Sequence, residues 1–374
     1  MRRALSALAV VVIAIAALAV VGTYVPALGA VARRMPGDVL WLVLLPLAAA
    51  TLALSVRRDR IGAALAAVAL LTATGATVIT VRMTAAVERA GADVDLLRTL
   101  GFGEHPQSRP DAEVTYAEYA GEQLKLSIFR PRDAGRAPVL VHVHGGGWIA
   151  GGRNDRSGDL RWFADQGWLA VGVDYPLSSG SRHLWDVTAD HVRCALSWLG
   201  RNASGYGGDP ARLALLGDSA GGGLAIAVAY RPASAMSCGP AVAAAAVVAM
   251  YPVVDAAGLH DAGELGRELA VAYTGGSPQS VPDRYRSVSA AAHLTADAPP
   301  TLIVVGEADR LVPPQGAYAF TEQARALGVD VTLVRVPYAG HDLDDVASGI
   351  GHQAYRQLTL AWLRDRGLAP ASVA

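Results

Sequence analysis

The chain has 374 residues, of which 52% are apolar and only 17% are charged, whereas roughly 25% of the residues in an ordinary soluble domain are charged. Its formal net charge of −1 argues against a dedicated nucleic-acid-binding protein, which usually has a basic patch. Its two cysteines exclude a disulfide-rich scaffold and any multi-cysteine zinc or iron–sulfur site. An enzyme-sized globular domain remains, either alone or with membrane segments.

Three long uncharged runs predict membrane-spanning helices in the N-terminal region, residues 1–81. The runs cover residues 4–32, 39–56 and 61–81, and arginine clusters separate them. A helix rises about 1.5 Å per residue and the hydrocarbon core of a bilayer is about 30 Å thick, so about 20 apolar residues can cross it. The third run is the weakest, because threonines and a glycine dilute it.

The first run could instead be a cleaved signal peptide. Arg2 and Arg3 precede it, and residues 30–32, Ala-Val-Ala, match the layout of a cleavage site. Its apolar stretch is much longer than the ~7–15 residues of a typical signal-peptide core, however. The other alternative is that the second and third runs form a buried hairpin of a soluble protein. We expect two or three spans.

The placement of arginines predicts the orientation of these spans, since cytoplasmic loops are enriched in Lys and Arg. With the N-terminus in the cytoplasm, five arginines lie inside and three lie outside. Three spans then place the rest of the chain outside the cytoplasm, as the catalytic part of a multi-pass membrane protein. The inner arginines are Arg2, Arg3, Arg57, Arg58 and Arg60, and the outer ones are Arg33, Arg34 and Arg82.

Residues 82–112 are predicted to be a connector, with a short amphipathic helix at 85–100 and then a loop. From residue 113 to 367, short apolar runs alternate with helical patterns, which indicates an α/β domain with a mostly parallel twisted sheet and helices on both faces. Residues 368–374 form a tail. The strands are predicted at 139–144, 169–173, 213–216, 243–251, 301–305 and 332–336, and the helices at 186–203, 224–230, 318–327 and 353–366.

The sharpest local motif is Gly-Asp-Ser-Ala-Gly at residues 217–221, between a predicted strand and a predicted helix. A serine on a sharp strand-to-helix turn has a strained backbone, and the flanking glycines allow the tight turn around it. The turn places the Ser219 oxygen at the positive end of the following helix. Ser219 is therefore the predicted nucleophile, and a glycine-rich turn with a buried serine is the alternative.

A second motif, His-Gly-Gly-Gly-Trp at residues 144–148, directly follows a predicted strand. Consecutive glycines allow backbone N–H groups to point at one place without intervening side chains. Together with the N–H group of the residue after the nucleophile, they could stabilise a tetrahedral oxyanion. We predict this oxyanion hole at Gly146, Gly147 and Ala220. A Walker-type phosphate loop is excluded, because no Lys-Ser or Lys-Thr follows the glycines.

A nucleophilic serine also needs a base and an acid that orients the base, here in the chain order serine, acid, histidine. The loops after the last two predicted strands contain Asp309 and His341. Glu307 is the rival acid, but it lies closer to the end of its strand. His144 is expected to order the glycine loop, and His142 to lie within a strand. No metal or cofactor is expected, since no closely spaced ligand motif is present.

Taken together in this order, the motifs resemble those of the α/β-hydrolase fold, and within it the hormone-sensitive-lipase-like carboxylesterases. The resemblance covers roughly residues 113–367. It also includes Asp-Tyr-Pro-Leu at 174–177, Asp-Pro-Ala-Arg at 209–212 and Tyr-Pro at 251–252. It implies that Ser219 is the nucleophile, that His341 is the general base and then acid, that Asp309 orients His341, and that Gly146, Gly147 and Ala220 donate to the oxyanion.

The sequence departs from this family at two places. Pro176 stands where the family commonly has arginine, so an arginine contact is expected to be lost. Family members usually build a substrate cap from their N-terminal segment, which here is membrane region and connector. The cap would therefore come from residues 256–299 or be small.

The resemblance implies a membrane-anchored serine carboxylesterase or lipase-like hydrolase that cleaves acyl or acetyl esters through a covalent acyl-enzyme. Its expected partners are a small-molecule or lipid ester and the membrane, with no nucleic acid. An acyltransferase or a peptidase with the same triad and a non-catalytic binding domain of this fold are the alternatives. The oligomeric state stays open. The pairing of Cys194 with Cys238 also stays open, because the distance between them is unknown from the sequence and Cα atoms more than ~7 Å apart cannot be bridged by a disulfide.

Overall fold

The computed structural model describes residues 2–25, 40–101, 105–132, 135–231, 238–239, 242–368 and 370. The chain divides into two compact units. The first unit comprises Met1–Glu104 together with Gly306–Ala308 and Arg335–Leu358. The second comprises His105–Val305, Asp309–Val334 and Thr359–Ala374. The first unit thus combines the N-terminal region with two short segments from the C-terminal part of the chain.

Three α-helices form most of the described part of the first unit: α1 (Arg2–Tyr24), α2 (Trp41–Val56) and α3 (Arg60–Arg89). Each of them packs against the other two. By length and composition, α1 and α3 could cross a membrane. Helix α2 has 16 residues and is therefore about 24 Å long, which is short for a span. Residues 26–32 and 39 of the predicted runs, and the outer Arg33 and Arg34, lie outside the described residues.

Many large apolar side chains of these helices are exposed, and many of their buried residues are small. In a soluble helix bundle, large apolar side chains are buried, whereas membrane helices pack through small residues that let their backbones approach. Here Leu71 is 74% exposed and Leu8 is 54% exposed. Leu44, Leu54, Ile61 and Val81 are also exposed, and the buried residues include Ala9, Ala16, Ala19, Ala49, Ala53, Ala66, Ala69, Ala73 and Ala76.

Helix α3 continues to Arg89, eight residues beyond the apolar run that ends at residue 81. Residues 85–88 are mostly good helix formers, so nothing stops the helix at the end of the apolar run. Gly91, with φ of 102°, follows the helix end. The predicted separate helix at 85–100 is wrong, because its first turn belongs to α3 and Leu96–Leu100 forms a 3₁₀ helix.

A sheet of eight strands forms the centre of the C-terminal part of the chain, in the order β1-β2-β4-β3-β5-β6-β7-β8. Strands β3 to β7 pair in parallel, and β2 pairs antiparallel with both β1 and β4. This is the predicted mostly parallel sheet. Its strands are β1 (Ala112–Tyr119), β2 (Glu122–Phe129), β3 (Ala137–Val143), β4 (Leu169–Val173), β5 (Gly208–Asp218), β6 (Ala246–Met250), β7 (Thr301–Gly306) and β8 (Val331–Val336).

All six predicted strands are confirmed within a few residues, and the hairpin of β1 and β2 is additional. Ala120 and Gly121 connect these two strands with φ values of 50° and 82°. Two consecutive positive φ angles are typical of the type I′ turn, whose twist matches that of the strands it joins. Strand β1 alternates between half-buried and exposed residues and forms an edge of the sheet.

Helices that follow α3 pack against the strands of this sheet, and the four predicted helices are among those that follow α3. Every residue of β3, β4, β6 and β7 is buried, as expected for a parallel sheet covered on both faces. The α/β fold class is confirmed. These helices are α4 (Ser157–Asp165), α5 (Thr188–Asn202), α6 (Ser219–Tyr230), α7 (Ala256–Asp261), α8 (Glu264–Thr274), α9 (Pro282–Val288), α10 (Pro314–Ala326) and α11 (Ile350–Asp365).

A disulfide joins Cys194 on α5 to Cys238, with a Cα–Cα distance of 5.5 Å. That distance lies within the range a disulfide can bridge, which answers the question that the sequence left open. The carbonyl of Cys238 also accepts hydrogen bonds from the Ser197 hydroxyl at 2.9 Å and from Arg201 at 3.1 Å. The chain beyond α6 is thereby fixed to α5.

Candidate active site

The two motifs of the sequence meet at one edge of the sheet. Strands β3 and β5 are parallel neighbours, and Val143 pairs with Gly217. Because parallel strands end at the same edge, the glycine loop after β3 and the serine turn after β5 both begin there. The carboxyl edge of a parallel sheet is where α/β proteins bind their ligands.

Ser219 lies on a strained turn between β5 and α6. Its φ is 52°, a left-handed conformation that residues other than glycine seldom adopt. It is the first residue of α6 and is 9% exposed. A Cβ atom on Gly221 would lie 2.1 Å from the Val143 carbonyl oxygen, so only glycine allows α6 to approach β3 this closely. The turn has the geometry predicted for a nucleophile.

The glycine loop lies directly against this turn. A Cβ atom on Gly145 would lie 3.4 Å from the Cβ of Ser219. Gly146 has a φ of 92°, which a side chain would oppose. Gly147 lies on the same loop, and Ala220 is buried at the start of α6. The structure therefore brings the loop of the predicted oxyanion donors to the predicted nucleophile.

A buried histidine–aspartate contact links the loop to the turn. His142 Nε2 lies 2.6 Å from Oδ1 of Asp218, and the Gly145 N–H donates to Oδ2 of Asp218 at 3.2 Å. From the sequence, His142 is expected only as a strand residue and Asp218 has no predicted role. One sequence feature could have indicated the role of Asp218. It is an acidic residue between a buried strand and the proposed nucleophile, and a buried carboxylate needs a hydrogen-bonding or charged partner.

The Asp218 carboxyl remains ionised despite its environment. Burial acts to raise its pKa, but the hydrogen bond and electrostatic interaction with His142, together with the charge of Arg156, outweigh burial and lower the pKa to about 2. A charged carboxylate accepts stronger hydrogen bonds than a neutral one. Asp218 therefore fixes the backbone of Gly145 beside Ser219.

Tyr175, from the Asp-Tyr-Pro segment, fixes the glycine loop from its other side. Its hydroxyl donates to the carbonyl oxygens of His144 at 2.8 Å and Gly145 at 3.0 Å. Its ring stacks on that of His144, with 4.1 Å between the centroids. Burial raises the pKa of Tyr175 and lowers that of His144, which favours the neutral forms of both. These contacts agree with the predicted loop-ordering role of His144.

An arginine from another place in the chain contacts Asp174. Pro176 occupies the position where the resembled family commonly has arginine, and an arginine contact was expected to be lost. In the structure the Asp174 carboxylate instead accepts hydrogen bonds from the Arg153 guanidinium at 2.8 Å and from the Arg153 N–H at 3.0 Å. Arg153 lies in the segment that follows the glycine loop, so this pair ties that segment to the end of β4.

Helices from residues 256–299, where the cap was expected, cover the glycine loop. A Cβ atom on Gly147 would lie 2.5 Å from the Leu269 side chain of α8. The ring of Tyr273, also on α8, stacks on Trp148 with 4.3 Å between the centroids. A small cavity of about 10 Å³ lies beside these rings, and its lining includes Trp148, Trp185, Leu224, Val253 and Tyr273.

The two rival acids differ in their surroundings. Asp309, in the second unit, is 6% exposed. Its Oδ1 accepts hydrogen bonds from the N–H groups of Leu311 at 3.0 Å and Val312 at 2.9 Å. In the first unit, Glu307 forms a salt bridge with Arg335 at 2.7 Å, and the two side chains are 36% and 56% exposed. The buried and oriented carboxyl of Asp309 suits a triad acid better than the surface pair of Glu307.

His341 lies in the first unit, on the loop between β8 and α11. Its side chain is 6% exposed, and its Nε2 lies 3.6 Å from the Asp342 carboxylate. The backbone of this loop pairs with the segment that follows β7. Glu307 N–H donates to Val336 O at 3.0 Å, and Ala308 N–H donates to Ala339 O at 2.9 Å.

Comparison with known proteins identifies the family. Residues 126–324, more than half of the chain, match the BD-FAE family model. The chain belongs to the BD-FAE family. It is 33% identical over 254 residues to the probable carboxylic ester hydrolase LipM of Mycobacterium tuberculosis, covering 64% of this chain and 57% of LipM. Esterase LipQ of the same organism is 28% identical over 257 residues, covering 65% of this chain and 60% of LipQ.

This BD-FAE family chain thus spans between 57% and 60% of the length of these two curated relatives. Solved structures similar to it include esterase 2 of Thermogutta terrifontis. The form phosphonylated by sarin has a TM-score of 0.61 and 25% identity, covering 72% of this chain and 99% of that chain. The butyrate-bound form has a TM-score of 0.57 and 27% identity, covering 70% and 96%. The predicted resemblance to α/β-hydrolase carboxylesterases is confirmed.

Proposed function

We propose that this BD-FAE family protein is a membrane-anchored serine carboxylesterase. In this proposal Ser219 is the nucleophile, His341 is the general base and Asp309 orients His341. The observation that supports it most is the strained turn of Ser219, with φ of 52°, packed against a glycine loop at the carboxyl edge of β3 and β5. The named relatives LipM and LipQ are ester hydrolases, which supports the same reaction class.

The proposed reaction has two halves. His341 takes the proton of the Ser219 hydroxyl while the Ser219 oxygen attacks the carbonyl carbon of the ester. The N–H groups of Gly146, Gly147 and Ala220 stabilise the negative oxygen of the tetrahedral intermediate. His341 then gives the proton to the leaving alcohol, and an acyl-enzyme remains. Water, deprotonated by His341, attacks the acyl-enzyme and releases the carboxylic acid and free Ser219.

The loops that lead to Asp309 and His341 support their assignment. Asp309 directly follows the Gly306–Ala308 segment in the chain, and His341 follows Ala339 by two residues. The backbones of these two segments are joined by the hydrogen bonds of Glu307 and Ala308. In the order serine, acid, histidine, these are the places at which a triad of this kind supplies its acid and its base.

A small cavity lies beside the glycine loop. Its volume of about 10 Å³ is far below the ~300–1,000 Å³ typical of ligand pockets. Its lining is mostly aromatic and aliphatic, with Trp148 adjacent to the proposed oxyanion donors and Leu224 on the helix of the proposed nucleophile. Short acyl esters are therefore the first substrates to test.

The first test is hydrolysis of p-nitrophenyl acetate and butyrate by the full chain in detergent, without added metal. We expect Ser219→Ala to lower kcat by roughly 10³- to 10⁶-fold, the range seen when a triad nucleophile is removed. Covalent labelling by a fluorophosphonate should disappear in the same variant. Ser204→Ala is the matched control, because Ser204 is exposed in the 3₁₀ helix Ala203–Tyr206. A folded Ser219→Ala protein with more than a tenth of the activity would contradict the proposal.

A further inference from the structure

The loop that contains His341 contacts the N-terminal helices through Tyr338. The ring of Tyr338 packs edge-to-face on that of Tyr24, at the end of α1, with 5.3 Å between the centroids. Its hydroxyl accepts a hydrogen bond from the Arg82 guanidinium of α3 at 2.9 Å. The same guanidinium lies 5.7 Å from the centre of the ring. One side chain, three residues before His341, is thus fixed by two helices.

The backbone of this loop has an unusual conformation on both sides of His341. Tyr338 has a φ of 64° and Asp342 has a φ of 51°, values that non-glycine residues adopt only when surrounding contacts enforce them. The contacts of Tyr338 with Tyr24 and Arg82 supply such enforcement. The position of His341 on this loop therefore depends on side-chain contacts with α1 and α3.

A second set of contacts fixes the other end of the same loop. The Gln353 amide on α11 donates to the Asp95 carbonyl at 3.0 Å and accepts from the Asp95 N–H at 2.8 Å. The Ser348 hydroxyl donates to the Gly101 carbonyl at 2.8 Å. Residues 95 and 101 lie in the segment that follows α3. The chain on both sides of His341 is therefore bound to the N-terminal region.

We infer that Tyr338 is a positioning residue for His341. Through Tyr338, α1 and α3 fix the position of the His341 side chain, in addition to anchoring the protein. The inference rests on the proposed role of His341 as general base. Tyr24 is the last residue of α1, and Arg82 lies about two turns before the end of α3. The N-terminal helices then contribute to catalysis as well as to membrane anchoring.

The expected consequence is kinetic. A general base must lie within hydrogen-bond reach of the proton that it takes, and small displacements from that geometry lower the rate strongly. Loosening the Tyr338 contacts should therefore slow acylation of Ser219, which is read as kcat and as the rate of fluorophosphonate labelling. Substrate binding does not involve these contacts, so KM should change little.

The test uses the full chain in detergent micelles with p-nitrophenyl butyrate. Arg82→Gln and Tyr338→Phe each remove the hydrogen bond, and each should lower kcat and the labelling rate roughly 3- to 10-fold, with KM within about twofold. The double variant should be no worse than the single ones, because the two residues share one interaction. Arg82→Lys retains a charged donor and should recover most of the activity. Arg89→Gln is the matched control on the same helix, since Arg89 bonds only locally to the Ala85 carbonyl.

A glycine at position 338 separates the side-chain contacts from the backbone conformation. Tyr338→Gly accepts the positive φ without strain but loses both partners, so it should be at least as slow as Tyr338→Phe. Wild-type kcat in Tyr338→Gly would overturn the inference, as would unchanged kcat in both Arg82→Gln and Tyr338→Phe. If Tyr338→Gly does not fold, the two conservative variants decide alone.

The same experiment distinguishes failure of this inference from failure of the proposed function. If the wild-type chain has no hydrolysis that depends on Ser219, the proposed function fails. If Ser219-dependent hydrolysis is present and the Arg82 and Tyr338 variants equal the wild type, only the positioning role of Tyr338 fails.

Discussion

The Asp218–His142 pair shows how one buried charge organises the site. A buried carboxylate is costly unless it is paired and hydrogen-bonded, and here Asp218 accepts from His142 and from the backbone of Gly145. The pair joins the nucleophile turn to the glycine loop. Its first expected effect is on stability, and its second is on the position of the proposed oxyanion donors.

The stability effect depends on pH. The pKa of Asp218 is lowered from 3.8 to about 2 in the folded protein, which corresponds to roughly 2 kcal/mol of stability. Because the folded pKa lies below the unfolded one, this contribution is present above about pH 4 and is lost as the pH falls toward about 2. We expect Asp218→Asn to lower the melting temperature at pH 7, and the difference from wild type to shrink between pH 4 and pH 2.5, measured by circular dichroism.

The same variant should lower kcat roughly 10- to 100-fold, because the Gly145 backbone loses a charged acceptor beside Ser219. Asp165→Asn is the control, since Asp165 forms only a surface salt bridge with Arg132 at 3.0 Å and should change stability by less than about 1 kcal/mol. A stability difference for Asp218→Asn that stays constant down to pH 2.5 would contradict the assigned role of its charge.

The choice between Asp309 and Glu307 is also decided by single residues. Asp309→Asn should lower kcat by roughly 10⁴-fold, because in the proposed triad the Asp309 carboxylate is the acceptor that keeps His341 in its working tautomer. Glu307→Gln should lower kcat less than about threefold, because Glu307 forms a surface salt bridge with Arg335. Steady-state kinetics of both variants make the comparison. If Glu307→Gln is the damaging change, the acid of the proposed triad is wrong while the ester hydrolase assignment survives.

At the scale of elements, the disulfide fixes the chain on either side of the nucleophile strand. Cys194 lies on α5, which precedes β5, and Cys238 lies beyond α6, with a sequence separation of 44 residues. Closing a loop of that length restricts the unfolded chain and contributes roughly 3–4 kcal/mol in the chain-entropy description. Strand β5 and helix α6, which together form the serine turn, both lie inside the closed loop.

We therefore expect Cys194→Ser to lower the melting temperature by roughly 6–12 °C. The wild type with reductant should show the same shift, and the variant should not respond to reductant. Ser197→Ala is the matched control on α5, because it removes the hydroxyl that donates to the Cys238 carbonyl and accepts from Arg201 but leaves the disulfide intact. Maleimide labelling of the denatured wild type should detect no free thiol, and two labelled thiols would refute the pairing.

At the scale of the whole molecule, we propose that the N-terminus is cytoplasmic and the catalytic residues are outside. The arginines at the start of α1 and between α2 and α3 support this orientation. The Cys194–Cys238 disulfide supports it independently, since disulfides persist in oxidising compartments outside the cytoplasm. Tyr338 contacts both Tyr24 and Arg82, so in this proposal these two residues lie on the same side of the membrane and α2 runs back between α1 and α3.

A topology assay checks this arrangement. Alkaline phosphatase fused to the C-terminus of the full chain should be active in a bacterial host, whereas a reporter that works only in the cytoplasm should be silent. Fusion after α2, at residue 57, should give the opposite pattern, because that point follows the returning helix. The reverse result at the C-terminus would place the enzyme in the cytoplasm.

The sequence by itself determined the fold class, the strands of the parallel sheet and the Ser219 turn. These features are local: apolar runs predict strands, and Gly217 and Gly221 permit the close backbone approach that a strand–turn–helix requires. The position of the glycine loop was also predictable from the local sequence, because the loop directly continues a buried strand. Asp309 and His341 were predicted from chain order, and their roles stay predictions.

Only the tertiary structure decided which distant groups meet. The pairing of Asp218 with His142, of Cys194 with Cys238, and of Tyr338 with Arg82 joins residues 76, 44 and 256 positions apart. No local pattern encodes such contacts, because they depend on the order of strands in the sheet and on how helices pack. The true end of α3 and the hairpin of β1 and β2 also escaped the sequence patterns. Helix α3 continues past its apolar run because the residues that follow are good helix formers. The hairpin was missed because its edge strand β1 is only half-buried and has no strong apolar pattern.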